Sequence, residues 1–102
     1  NAWKQRLQTM ADKGQRIVVW GAGSKGVSFL NALQADASIA YVVDINPRKR
    51  GMFVAGTGQQ IVPPEFLKSY MPESVVIMNG NYKEEIQASL NALGLGAEIL
   101  IA

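Results

Sequence analysis

The hexapeptide Gly21-Ala22-Gly23-Ser24-Lys25-Gly26 constrains the fold more than any other stretch of the chain. Its spacing is G-x-G-x-x-G, and its setting gives that spacing a meaning. Ile17-Val18-Val19-Trp20, directly before it, is apolar at every position, as a strand covered on both faces of a parallel sheet should be. After it, Val27, Leu30 and Leu33 fall on one side of a helix, with Phe29 flanking them. A strand that passes straight into a helix through three glycines reads as the opening of a βαβ unit. Gly21 permits the tight turn, Gly23 leaves room for another group to approach the backbone, and Gly26 lets the helix pack closely on the strand.

The alternation continues on both sides. Trp3, Leu7 and Met10 make one apolar helix face ending near Asp12-Lys13-Gly14, so residues 1–15 are expected to form an N-terminal helix and 16–102 the main domain. Ile39 to Val43 reads as a second buried strand, ended by Asp44 and the breaker pair Asn46-Pro47. Residues 45–60 form a long irregular connection, and loops of that length in a compact domain are more often functional than idle. Gln60 to Val62 suits a short edge strand, and Pro63-Pro64-Glu65 begins a helical turn through Leu67. Val75 to Met78 is a further strand. Asn81, with Glu84 three residues on, is placed to cap a helix burying Ile86, Leu90 and Leu93 and ending at Gly94. Glu98 to Ile101 is the last strand. The expected fold class is α/β: a Rossmann-like, doubly wound parallel sheet in one domain, with strand order 3-2-1-4-5 favoured over a flavodoxin-like order.

Composition narrows the chemistry. The 102 residues include neither cysteine nor histidine, which removes thiolate nucleophiles, Cys-based zinc sites and imidazole acid–base catalysis from this stretch of chain. A formal charge of +2 with scattered basic residues does not make a nucleic-acid surface. Apolar runs of a few residues are far shorter than the ~20 that a membrane span needs. A cytoplasmic protein with neither nucleic-acid nor membrane partner is the resulting expectation.

The loops after the first, second and fourth strands should meet at the carboxyl edge of the sheet, beside the switch point. This gathers Ser24, Lys25, Asp44, Asn46, Arg48, Asn79 and Tyr82 around one crevice. Free N–H groups at the helix start, with Ser24 and Lys25, suit a phosphate, and Asp44 stands where an acid would bind a ribose diol. A plain reading stays open beside this one, in which the glycines only make a close turn and Arg48-Lys49-Arg50 is a solvated basic turn. Trp3 and Trp20 read as core or interface anchors, and Met78 as a core residue. Val19 stands where a typical S-adenosylmethionine loop carries an acid, which speaks against that cofactor here.

Two longer stretches carry a resemblance. Val18-Val19-Trp20-Gly21-Ala22-Gly23-Ser24-Lys25-Gly26 and Tyr41-Val42-Val43-Asp44-Ile45-Asn46-Pro47-Arg48-Lys49-Arg50-Gly51, followed by Gly56-Thr57, Ile61-Val62-Pro63-Pro64 and Met78-Asn79 with Tyr82, Glu85 and Ile86, resemble the C-terminal domain of the sugar C-methyltransferase family. The resemblance implies a fragment of a larger enzyme, inactive alone. In such an enzyme a zinc-binding module and a central domain holding S-adenosylmethionine precede a Rossmann-like domain that helps bind a sugar-nucleotide acceptor. No cofactor and no catalytic residue is then expected here, and the partners are the sugar nucleotide and the remaining domains. Carried over by position, the substrate-side residues are Gly21, Gly23, Ser24, Lys25, Gly26, Asp44, Asn46, Lys49, Thr57, Asn79 and Tyr82. Gly80 departs from the proline expected after Met78-Asn79. A small NAD-type dinucleotide-binding regulatory or dehydrogenase domain is the alternative, resting on the glycine loop and Asp44 alone.

Overall fold

The computed structural model describes residues 2–34 and 38–102; Asn1, the first residue of the expected N-terminal helix, lies outside them. Nine elements follow one another: α1 (Ala2–Asp12), β1 (Ile17–Trp20), α2 (Ser24–Leu33), β2 (Tyr41–Val43), β3 (Gln60–Val62), α3 (Leu67–Tyr70), β4 (Ser74–Ile77), α4 (Lys83–Ala92) and β5 (Glu98–Ile101). All strand pairings are parallel, in the order β3-β2-β1-β4-β5, as expected from the alternating pattern.

The two faces of the sheet are separated by the period-two alternation of its strands. Ile17, Val19, Val42, Ile61, Val76 and Leu100 point to one face and pack with Leu7 of α1 and with Leu30 and Leu33 of α2. Val18, Val43, Val62, Val75 and Ile77 point to the other and pack with Leu67 of α3 and with Ile86 and Leu90 of α4. Register keeps the alternation in step, since Val19 is paired with Val42 and with Val76. Because α2 and α4 follow neighbouring strands yet cover opposite faces, a crevice opens between the carboxyl ends of β1 and β4.

Several boundaries differ from expectation. β2 begins at Tyr41, and Ile39 is buried in the core without joining the ladder. β4 is shifted one residue earlier, so Met78 leaves the sheet. Asn81 does not cap α4. The N-cap of α4 is Tyr82, with no side-chain hydrogen bond, and Asn79 instead caps the 3-10 turn over Gly80–Tyr82 that runs into α4, its side chain accepting from the Asn81 N–H at 2.9 Å. At the far end of α4, Gly94 takes the left-handed conformation (φ +74°) and the Leu95 N–H reaches back to the Leu90 carbonyl, as Gly94 led one to expect. The connection after β2 is not wholly irregular: Ile61 N–H donates to the Met52 carbonyl and Gly51 N–H to the Ile61 carbonyl, laying residues 51–54 antiparallel along β3 and covering that edge.

On the α3 side, Tyr41, Phe66 and Tyr70 form an aromatic cluster, with the Arg16 guanidinium 5.5 Å from the Tyr70 ring centre. Burial pushes the Tyr70 phenol above its ordinary pKa, and this outweighs the opposing pull of Arg16. The neutral phenol is therefore favoured by the folded state, and the unfolded chain loses its proton first. Stability is present in full below pH ~10 and declines as the pH rises toward the folded value. Tyr70→Phe should lie on a flatter alkaline limb than the parent chain when urea midpoints are compared between about pH 9 and 11.

Candidate functional site

The glycine loop is shaped by two close approaches. Gly21 leaves β1 at φ +114°, a conformation that a side chain resists, and its N–H donates to the Val43 carbonyl at 2.7 Å. Its own carbonyl then lies over the first turn of α2, where a Cβ on Gly26 would stand 2.2 Å from that oxygen. Only glycine at 26 lets α2 start this near the strand. Gly23 is different: a Cβ there would meet nothing within 4 Å. Gly23 caps α2 without any side-chain hydrogen bond, and the first turn of α2 holds no acid and carries Lys25. Unfilled N–H groups, the positive end of the helix dipole and a cation all meet there, and an anion would satisfy them together.

The crevice beside this helix start has a volume of about 640 Å³, within the range of small-molecule sites. Trp20, Ile77, Met78 and Ile86 make its apolar wall. Gly21, Gly23, Ser24, Lys25 and Gly26 form one rim, and Asn79, Tyr82, Glu85 and Ser89 form the other. Exposed Ile45 closes the side toward β2. Asn79 Oδ1 accepts from the Asn81 N–H, which leaves the Nδ2 donors of its side chain to face the crevice. A second hollow, of about 440 Å³, lies at the amino ends of β4 and β5 among Arg6, Glu73 and Glu98, on the opposite edge from the glycine loop.

Of the residues expected at the site, Gly21, Gly23, Ser24, Lys25, Gly26, Asn79 and Tyr82 come together around this crevice. Asp44, Asn46, Arg48, Lys49 and Thr57 are not among its lining residues. Asp44 faces the back of the glycine loop: Oδ2 accepts from the Ala22 N–H at 2.9 Å, and Oδ1 accepts from the Asn46 N–H at 2.8 Å. Asn46 Oδ1 in turn accepts from the Arg48 N–H at 3.0 Å, which starts the 3-10 turn Pro47–Lys49. That turn brings Lys49 Nζ back to the Ala22 carbonyl at 3.2 Å and to Asp44 Oδ2 at 3.9 Å. Thr57 bonds Gln59 in a loop held by Asn31 of α2, whose Nδ2 donates to the Ala55 carbonyl at 3.0 Å. The wall residues Trp20 and Met78 were expected in the core or at an interface, and Ser89 was not singled out. Its spacing from Glu85 and Ile86 along α4 was the available signal, legible only once the face of α4 toward β1 is known.

A parallel sheet in this order with a glycine loop at its switch point defines a Rossmann-like domain. The family model for the C-methyltransferase C-terminal domain matches residues 1–101, and the chain belongs to that family. No curated protein matches the chain. Among solved structures it is similar to UDP-D-quinovosamine 4-dehydrogenase from Vibrio fischeri, at 19% identity and a TM-score of 0.64 over 85% of this chain and 76% of that one. It is also similar to RSP, a Rex-family repressor, at 14% identity and a TM-score of 0.61 over 86% of this chain and 52% of that one. The structure of RSP with beta-NADH matches at 14% identity with a TM-score of 0.59, over 86% of this chain and 53% of that one. The chain thus spans about half the length of the Rex-family structures, and at these identities the likeness is one of fold.

The two glycines separate packing from access. Gly26→Ala should cost about 1–3 kcal/mol or more by overpacking against the Gly21 carbonyl. Gly23→Ala should stay within about 1 kcal/mol of the parent. Urea titration of both variants checks the difference.

Proposed function

We propose that the crevice between the glycine loop and α4 binds the anionic part of a sugar-nucleotide acceptor for an S-adenosylmethionine-dependent C-methyl transfer, with the catalytic groups and the methyl donor held elsewhere in a larger enzyme. The observation that carries this reading is the uncapped start of α2, with Ser24 and Lys25, set against an apolar wall in a member of the C-methyltransferase C-terminal family. Phosphate oxygens would lie on the amide rim. A base or sugar ring would lie on Trp20, Met78 and Tyr82, and Glu85, Ser89 and Asn79 would meet hydroxyl groups. The chain's residues do not fit the methyl donor itself. The position two before the first glycine is Val19, fully buried in the core, where a carboxylate would be needed for that cofactor's polar groups. The dinucleotide alternative draws on the same loop, and the Rex-family and dehydrogenase structures share the fold. It is less well supported because Asp44, the residue it relies on for a ribose, does not line the crevice and faces the chain's own Ala22 and Asn46 N–H groups.

Thermal and urea unfolding with UDP-glucose, NADH or S-adenosylmethionine present tests the assignment. The sugar nucleotide should stabilise the chain, by about 2.7 kcal/mol at 100 times its Kd, and S-adenosylmethionine should not. Lys25→Ala should weaken the effect, and Gly23→Val should abolish it with little change in the stability of the free protein. Saturable NADH binding without a response to the sugar nucleotide would transfer the assignment to the dinucleotide class.

A further inference from the structure

The crevice accounts for the glycine loop and for Ile45, but not for Asp44, Asn46 and Lys49 of the D-x-N-P-x-K run after β2, which do not line it. Ala22 is gripped at both of its backbone groups by this run, its N–H by Asp44 and its carbonyl by Lys49. A trans peptide holds its C=O and N–H on opposite sides, so each grip fixes the direction of a group it does not touch. With the Ala22 N–H turned to Asp44, the Gly21 carbonyl is directed away from it, and this is the carbonyl found against Gly26. With the Ala22 carbonyl turned to Lys49, the Gly23 N–H is directed away from the Lys49 ammonium. Gly23 has the freedom to let that peptide rotate, and no side chain caps it from the front.

The run is built to deliver these two grips. Asp44 Oδ1 and Asn46 Oδ1 accept successive backbone N–H groups, Pro47 fixes the first position of the turn, and Lys49 emerges pointing back at the loop. The Asp44 side chain is 14% exposed and that of Lys49 36%, so the pair is only partly open to water.

We propose that Asp44 and Lys49 are positioning residues: Asp44 fixes the Gly21–Ala22 peptide and Lys49 the Ala22–Gly23 peptide that follows it, so that the Gly23 N–H serves the anion of the crevice and the Ala22 carbonyl does not. This rests on the reading of the crevice as an anion site and assigns Asp44 a role other than binding a ribose. The sign of one substitution separates the two kinds of action. Asp44→Ala removes both the acceptor of the Ala22 N–H and a negative charge near an anion site, and through-space electrostatics alone would tighten anion binding. A lost orientation weakens it.

Calorimetry with inorganic pyrophosphate and with ADP, on the parent chain and on Asp44→Ala, Lys49→Met and the double variant, reads the effect, with urea midpoints confirming that each is folded. Each single variant should lose affinity for pyrophosphate roughly tenfold, the value of one well-aimed N–H to a charged group, and for ADP by the same factor. The double variant should lose little more than either single. Unchanged or tighter pyrophosphate binding by Asp44→Ala, or a loss confined to ADP, would overturn the proposal. Absence of binding by the parent chain would instead defeat the anion reading. The positioning claim is then decided by the ¹⁵N–¹H cross-peak of Gly23 in the ligand-free protein, which neither side chain touches. That cross-peak should move, and its hydrogen exchange should quicken, in both single variants, and an unmoved Gly23 signal would refute the claim.

Discussion

The contact between the Gly21 carbonyl and the backbone of Gly26 is the constraint on which the rest of the structure depends. It brings the first turn of α2 down onto the end of β1, nearer than any side chain at position 26 would permit. From that placement follow the seating of Leu30 and Leu33 on one face of the sheet and the direction in which the uncapped helix start points. With α4 held on the opposite face by Ile86 and Leu90, the two helices diverge from neighbouring strands and leave the crevice between them.

What lines that crevice is asymmetric. One rim is a helix start with a lysine and no acid, and the other is the first half of α4, whose opening turn contains Glu84 and Glu85. The acids suit the dipole of α4, while the lysine works against that of α2. Such local conflict at one helix start, in a chain whose other choices agree with its fold, is in keeping with the anion site proposed there. Of the apolar wall between the rims, Trp20 and Ile77 lie at the ends of β1 and β4, the two central neighbours at the switch point, and Ile86 comes from α4.

Much of this was legible in the chain. Strands buried on both faces announce themselves as unbroken apolar runs, and the glycine hexapeptide placed the first βαβ turn to the residue. The boundaries that moved did so for tertiary reasons. Ile39 has the chemistry of a strand residue but falls before the ladder with β1 begins at Tyr41. Asn79 and Asn81 are equally good caps in isolation, and which one caps depends on where β4 releases the chain.

The succession of strands and helices, the burial of the strands on both faces and the glycine loop directly after the first strand were determined by the sequence, because apolar periodicity and glycine placement act locally and are read locally. Between the favoured strand order and its flavodoxin-like competitor, the pairing of the strands decided. Only the tertiary structure decided what Asp44 faces. Its place at the end of a strand is equally compatible with solvent, a ribose or the chain's own backbone. The choice fell to the backbone because Pro47–Lys49 folds back across a gap of many residues and brings the Ala22 peptide between a carboxylate and an ammonium.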